Sequence, residues 1–294
     1  MKTTAFNALC ALGLTAALAF AGCAEKDELR IAQVASIIDA AYETPAPVTD
    51  TGGRLSPQAL SLDDGYKVQT LRVSYMKKER EFAGYKIAAA GKDMQEAFGL
   101  TAPVTGVFMK DMLLHNGSAV RISSGASLAY EADMIVRVGS AAINNAKTEQ
   151  EVAAALDEGY VFIELPDLLG MNGGELHGGL IAAANAGARW GVMGGAFPIS
   201  SNPGAVQDLQ NMTVTMVDGS GAVLGRTDGP QNPLSPVLVL IKQLEARGTP
   251  LAKGDYISVG TFIAPSPAKA GQTLFVHYDG LTPERLSASV TFTE

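Results

Sequence analysis

Cysteine is almost missing from this chain, with Cys10 and Cys23 the only two among 294 residues. Histidine is nearly as scarce, and His115, His177 and His277 are too scattered to form a metal-binding motif, so each reads as structural; only His177, set among glycines, also fits a pocket border. There is one tryptophan, Trp190, and aromatic residues make up 6% of the chain. No basic run occurs, and 22 lysines and arginines against 30 acids give a formal charge of -8. That balance excludes nucleic acid as a partner and means that an anionic ligand needs a local positive device. The glycines between Gly170 and Gly195 are not followed by Lys-Ser or Lys-Thr, so a phosphate-cradling loop is excluded as well.

What is present is a chain 47% hydrophobic and 18% charged, enough to bury a substantial core. Its start is a targeting segment: Lys2, an apolar stretch from Ala5 to Ala21, then Phe20-Ala21-Gly22-Cys23. These residues resemble the bacterial lipoprotein cleavage box, with Cys23 the lipidated residue and Cys10 lost with the leader. An ordinary secretory signal with a chance cysteine is the alternative. The lipoprotein reading places the processed protein on the periplasmic side of a membrane, held by its lipid.

Further along, residues 25–43 read as an amphipathic helix with Leu29, Val34, Ile37, Ile38, Ala41 and Tyr42 on one side. Residues 44–65 read as a loop and Val68–Tyr75 as a strand, followed by a strand at Gly84–Ala89 and a short helix from Asp93 to Phe98. Leu128–Val138 and Tyr160–Leu165 read as strands, with a helix at Thr148–Glu158 that opens on a Thr148/Glu151 capping box and closes at Gly159. A hairpin around Asp218–Gly221 comes next. A helix over Pro233–Arg247 then has Ser235 as its cap and Pro236 at its first position, and strands at Tyr256–Phe262, Thr273–Tyr278 and Leu286–Thr293 follow. Strands dominate and helices are scattered, so the fold class is α+β.

The chemistry is carried by acids. In an extended Leu128–Val138, Glu131 and Asp133 project to the same side, about 6–7 Å apart at the backbone, with Ile135 beside them and Met134, Val136 and Val138 on the other face. Glu164 interrupts the apolar run Tyr160–Leu165, where an isolated carboxylate costs several kcal/mol unless it is paired or bound to a cation. Hard oxygen ligands suit magnesium, manganese or calcium. The same pattern also fits a solvent-facing strand edge for Glu131 and Asp133 and a hydrogen-bonded structural Glu164.

Gly84-Tyr85-Lys86-Ile87, continuing through Lys92, Met94, Gln95 and Phe98-Gly99-Leu100, resembles the segment of the 2-keto-4-pentenoate hydratases that carries an active-site lysine. So do Asn232-Pro233-Leu234, Arg247-Gly248-Thr249-Pro250-Leu251, Lys253-Gly254-Asp255, Val259-Gly260 and Ala270-Gly271-Gln272, in order and spacing. The resemblance, to a family of the fumarylacetoacetate hydrolase superfamily, covers roughly residues 80–293. It implies a β-rich mixed sheet or roll of the fumarylacetoacetate hydrolase C-terminal-domain type with an N-terminal helix. The implied organisation is a signal peptide at 1–22, a helix and linker at 23–65, and a catalytic domain at 66–294.

The resemblance further implies that Glu131, Asp133 and Glu164 hold Mg2+ or Mn2+, that Lys86 is catalytic and binds substrate, and that Asn185 is a substrate-side residue. The implied partner is a small 2-oxo acid, the implied assembly a homo-oligomer, and the implied reaction hydration of a 2-hydroxydienoate. Decarboxylation of a 2-oxo diacid, or binding of a small acid without catalysis, are the alternatives. The sequence departs from the family at Asp133, where a glutamate is usual, at Ala129, where many relatives have arginine, and at Ala90, Ala184 and Val259, where polar or acidic residues are common.

Overall fold

The computed structural model describes residues 25–50, 52–171, 176–227 and 229–294. Cys23 and the expected signal peptide lie outside the described residues. The chain opens with helix α1 (residues 25–43). The remaining helices are α2 (Leu62–Glu79), α3 (Lys92–Ala97), α4 (Glu149–Ala155), α5 (Gly178–Ala183), α6 (Ala205–Asn211) and α7 (Ser235–Ala246). The first seven strands are β1 (Phe82–Ala88), β2 (Val104–Met109), β3 (Leu113–His115), β4 (Ala119–Arg121), β5 (Ala129–Val138), β6 (Leu156–Leu165) and β7 (Trp190–Pro198). Then come β8 (Thr213–Asp218), β9 (Val223–Arg226), β10 (Tyr256–Ser258), β11 (Ile263–Pro267), β12 (Thr273–Asp279) and β13 (Leu286–Thr293). The protein is a mixed α+β fold.

Eight strands form one mixed sheet in the order β2-β1-β10-β5-β6-β7-β3, with β11 also pairing β5, and a five-stranded sheet runs β4-β13-β12-β8-β9. The large sheet has two different faces because side chains alternate along each strand. Met134 and Val136 of β5, Val161 and Ile163 of β6 and Ile257 of β10 join Leu274, Val276 and Val290 of the second sheet in the main core. On the opposite face, Ile135 and Phe162 join Phe108, Met109 and Met112 in a smaller apolar cluster. That face also carries Glu131, Asp133 and Glu164, as the alternation within β5 requires.

The expected strand over Val68–Tyr75 is instead the middle of α2. Its β-branched residues favour strand locally, but the flanking signals and tertiary contacts favour helix. The Ser61 side chain accepts from the Asp64 amide, Asp63 and Asp64 occupy the first turn, and Lys77 and Lys78 the last. The buried residues Gly65, Val68, Gln69, Arg72 and Val73 are spaced at three and four, a helical stripe. Gln69 donates to the Thr105 carbonyl at 2.7 Å, and Arg72 donates to Ala183 O at 2.8 Å and to Asp39 at 2.6 Å. α2 lies so close to α5 that a Cβ on Gly65 would stand 2.1 Å from Gly179 O. The expected boundary at 65/66 falls inside this helix.

Three smaller expectations also change. α4 keeps its Thr148/Glu151 capping box but ends at Ala155, and Gly159 lies in β6, where a Cβ would meet the Phe197 ring at 2.3 Å. Ser235 is the first residue of α7 rather than its cap. Leu29 is exposed, so the buried stripe of α1 is Ile31, Val34, Ala35, Ile38 and Ala41.

Phe162 is fully buried and packs edge-on against Phe108 with centroids 6.0 Å apart, directly beneath the acidic residues. Phe162→Ala is expected to cost about 3–5 kcal/mol of stability, measured by urea unfolding; a loss under about 1 kcal/mol would show that this cluster is not packed as described.

Candidate active site

Strand register brings the acidic residues together. Glu131 on β5 stands directly opposite Glu164 on β6, and Asp133 opposite Phe162. On the other side of β5, Ile135 pairs with Ser258 of β10, which in turn pairs with Lys86 of β1. Four adjacent strands thus deliver Lys86, Ser258, Asp133, Glu131 and Glu164 to one face. Lys86, Asp133, Glu164 and Ser258 are all buried, whereas Glu131 is partly open to a cavity.

Each of these groups has partners. Lys86 Nζ forms an ion pair with Glu164 Oε1. Asp133 accepts from the Gly260 amide at 3.0 Å, from the Met134 amide at 2.5 Å and from the Ser258 hydroxyl, which also lies 3.5 Å from Glu164 Oε2. The Tyr278 hydroxyl, reaching across from the second sheet, donates to the Asp133 carbonyl. Three acids, Asp133 and Glu164 buried and Glu131 at the cavity edge, therefore face a single ammonium group. Burial, and then the charge of Glu164, pushes the Glu131 carboxyl well above its ordinary range. The same two causes push Asp133 up to about 8, with the Ser258 and Met134 hydrogen bonds opposing them. Burial on its own would lower the Lys86 pKa, but Glu164, Glu131 and Asp133 together outweigh it and keep the lysine charged.

The donor set fits a hard divalent cation in its chemistry: buried carboxylates in excess of the one available positive charge. Among the described residues, however, no three histidine, cysteine, aspartate or glutamate side chains stand in an arrangement that would itself grip a metal ion. The physical reason is visible in the contacts, since Lys86 holds Glu164 while Ser258 and two amides hold Asp133.

A cavity of about 280 Å³ opens above this floor. Among the described residues Lys86 and Glu131 are its only ionisable lining residues, Thr261 contributes the only other polar side chain, and Ala90, Met94, Phe98, Ala129, Leu168 and Ile181 form much of its walls. Asn185 does not line it. Its Oδ1 accepts from the Val107 amide at 2.8 Å and its Nδ2 donates to the Val107 carbonyl at 2.9 Å, so the side chain is used in fixing β2. His177 hydrogen-bonds Leu55 O at 2.8 Å, away from the acids, and His277 bonds Ser287 Oγ at 2.7 Å. Ser258 was not anticipated. Its signal in the sequence is a small polar residue interrupting an otherwise apolar strand beside Ile257.

No family model matches the sequence, and no curated protein does. Solved structures do. 4-Oxalocrotonate decarboxylase from Pseudomonas putida G7, complexed with magnesium and adipate, superposes with a TM-score of 0.76 at 22% identity, over 90% of this chain and 97% of that one. The same enzyme complexed with calcium and acetate gives 0.75 at 21%, over 90% and 98%. Fumarylpyruvate hydrolase from Pseudomonas aeruginosa, in complex with Mn2+ and pyruvate, gives 0.51 at 15%, over 72% and 89%. These are members of the fumarylacetoacetate hydrolase superfamily, and the likeness to them is one of fold.

The raised carboxyls give stability a definite pH slope. Between about pH 4 and pH 8 the unfolded chain has released protons that folded Asp133 and Glu131 retain, so without metal stability falls as pH rises through that window. Lys86 is protonated in both states there and adds no slope. Mg2+ or Mn2+ favours the ionised acids, so its stabilisation is expected to grow with pH. Thermal melts from pH 5 to 8, with and without Mn2+, test this; a Mn2+ shift that is absent, or that shrinks as pH rises, would remove the cation from this site.

Proposed function

We propose that this chain is a divalent-cation-dependent lyase that acts on an unsaturated 2-oxo acid, and that its reaction is loss of CO2 from the far end of a 2-oxo diacid. The observation that carries this reading is the cavity: a charged floor of Lys86 and Glu131 under walls that are almost wholly apolar. Glu131, Glu164 and Asp133 are the residues that would hold Mg2+ or Mn2+. When bound, such an ion supplies Lewis acidity toward the 2-oxo and carboxylate oxygens of the substrate head.

The chain's own residues do the rest. Lys86, kept charged by the acids around it, donates to the head of the substrate and steadies negative charge that develops on the 2-oxo oxygen. The apolar walls surround the carbon chain and its far carboxylate. A carboxylate stripped of water is raised in energy, whereas departing CO2 is neutral and at home there. The bond to that carboxyl breaks, its electron pair passes along the conjugated chain to the 2-oxo group, and a proton completes the product. Lys86 borders the cavity and is kept protonated by the acids around it, which makes it a suitable donor.

Hydration of a 2-hydroxydienoate is the second reading, supported by the residues shared with the hydratases between Gly84 and Gln272. It needs a polar group to aim water at the distal carbon. Among the described residues Thr261 is the one hydroxyl lining the walls, and it already donates to the Ile263 carbonyl at 2.7 Å.

Purified protein with Mn2+ and a six-carbon unsaturated 2-oxo diacid is expected to release CO2 faster than it consumes 2-hydroxypenta-2,4-dienoate, followed by loss of dienol absorbance. Glu131→Gln and Lys86→Met should each lower turnover at least about 100-fold. Turnover of the dienoate alone would select hydration, and bound Mn2+ with no turnover of either would leave a binding protein.

We further propose that the protein is lipidated at Cys23. Among the described residues no helix is long and apolar enough to cross a membrane; on the lipoprotein reading the attachment is the lipid on Cys23. Cys23→Ser is expected to move the protein from the membrane to the soluble fraction; a variant that remains membrane-bound would show that another feature anchors it.

A further inference from the structure

The two sides of α1 differ sharply. Ile31, Val34, Ala35 and Ile38 are buried in one cluster with Val68 of α2 and Leu180 of α5. On the opposite side, at helical spacing, Leu29, Ala32, Gln33, Ser36 and Ala40 are exposed, Leu29 to 60%. That outward stripe runs for about 17 Å without a charged side chain, on a chain of formal charge -8. Asp39, at its edge, is held by Arg72 at 2.6 Å. The exposed charges lie beyond its ends, at Glu25, Lys26 and Glu28 on one side and Glu43 on the other.

The stripe also has a fixed direction, because α1 is clamped to the body. Arg30 donates to the Ala59 carbonyl at 2.9 Å and pairs with Asp27 and Asp64. Lys67 of α2 bridges the same two acids. Cys23 precedes residue 25 by two positions, and two residues reach about 7 Å at most. A lipid on that thiol therefore leaves too little chain to hold the body away from the lipid surface.

We propose that the outward stripe of α1, from Leu29 to Ala40, is the surface that rests on the lipid headgroups when the protein is anchored through Cys23. This rests on the lipidation reading above, and adds to it the face presented and the orientation of the body. The small side chains of Ala32, Ser36 and Ala40 allow close approach, and Leu29 meets the interface with an apolar group. A stripe without charge also avoids the repulsion that an acidic protein meets at an anionic leaflet. In α5, Leu180 packs in the cluster around α1 and its neighbour Ile181 lines the cavity. One layer of helix thus separates the lipid surface from the cavity wall.

The test uses the scarcity of cysteine. With the Cys23 thiol lipidated and Cys10 in the expected signal peptide, one new cysteine carries one label. A fluorophore is placed in turn at Gln33→Cys, Ser36→Cys, Val223→Cys and Lys242→Cys, all exposed positions. The last two lie on β9 and α7, which contribute nothing to the cluster around α1. The full lipidated protein is set in vesicles of phosphatidylcholine and phosphatidylglycerol containing a lipid with a spin-labelled headgroup. Quenching is expected to be at least about three-fold stronger at positions 33 and 36 than at 223 and 242. Labels at 33 and 36 that are shielded from both the spin label and aqueous iodide would place a protein on that face, a second copy included, and overturn the assignment. Membrane-bound protein with equal quenching at all four positions would keep the lipid on Cys23 and remove the orientation, whereas protein recovered in the soluble fraction would remove both.

Discussion

An ion pair in a place of low polarity, surrounded by more acid than it can neutralise, is the condition to which the rest of this structure answers. Lys86 and Glu164 meet inside the protein with Asp133 alongside and Glu131 at the edge. Removing Lys86 or Glu164 would leave the other's charge without its counter-ion in a place of low polarity, at a cost of several kcal/mol. The sheet meets this condition by register. Lys86, Ser258 and Ile135 lie across three adjoining strands, and Glu131 and Glu164 face each other across β5 and β6. Every oxygen of Asp133 is then supplied with a donor from the main chain, from Ser258 or from Tyr278. Polar satisfaction on this scale fixes the strands against sliding, because a slip of one residue would exchange the acids with the core residues behind them.

The same sheet therefore serves two purposes on its two faces. Met134, Val136, Val161 and Ile163 anchor it to the second sheet, while the opposite face needs a roof that shelters the acids. α5 contributes Ile181 to the cavity wall, α2 contributes Val73 to the apolar cluster on that face, and α1 is bound to both helices. Arg72 joins Asp39 of α1 to the Ala183 carbonyl, and Arg189 donates to the Tyr42 carbonyl with its guanidinium 4.1 Å from the Tyr42 ring centroid. Ile31, Val34 and Ile38 of α1 share a cluster with Val68 of α2 and Leu180 of α5. The N-terminal helix is thus part of the wall behind the site rather than a tether beside it.

How far the sequence foretold this depends on the kind of signal. β5 and β6 were legible because alternation along a strand sorts side chains into faces, and Glu131, Asp133 and Glu164 violate an otherwise apolar pattern. Lys86 was legible only through its resemblance to other proteins. α2 was misread because Val68, Thr70 and Val73 favour strand locally, and the contacts that decide the matter, from Gln69 and Arg72 to carbonyls more than thirty residues away, cannot be seen in a window of sequence. Asn185 was given to the substrate for the same reason. Nothing in its neighbours reveals that both ends of its amide are occupied by Val107. Ser258 was passed over because its importance comes from lying between β1 and β5, which is a property of strand order.

The positions at which the chain departs from the hydratases acquire a meaning from the cavity. Ala90 and Ala129, read against the polar or basic residues of the family that the sequence resembles, look like losses. In space they are two of the walls, and together with Met94, Phe98 and Leu168 they make the chamber apolar right down to Lys86 and Glu131. An apolar wall is a poor place to activate water and a good place to strip a carboxylate of its hydration. An arginine at position 129 would stabilise a carboxylate beside it and so oppose the departure of CO2. On the proposed function, alanine there leaves the energy gained by seating the head of the substrate on the charged floor available to desolvate its other end. On that proposal, a change that reads as erosion in one dimension would be, in three, a change in which bond the site breaks.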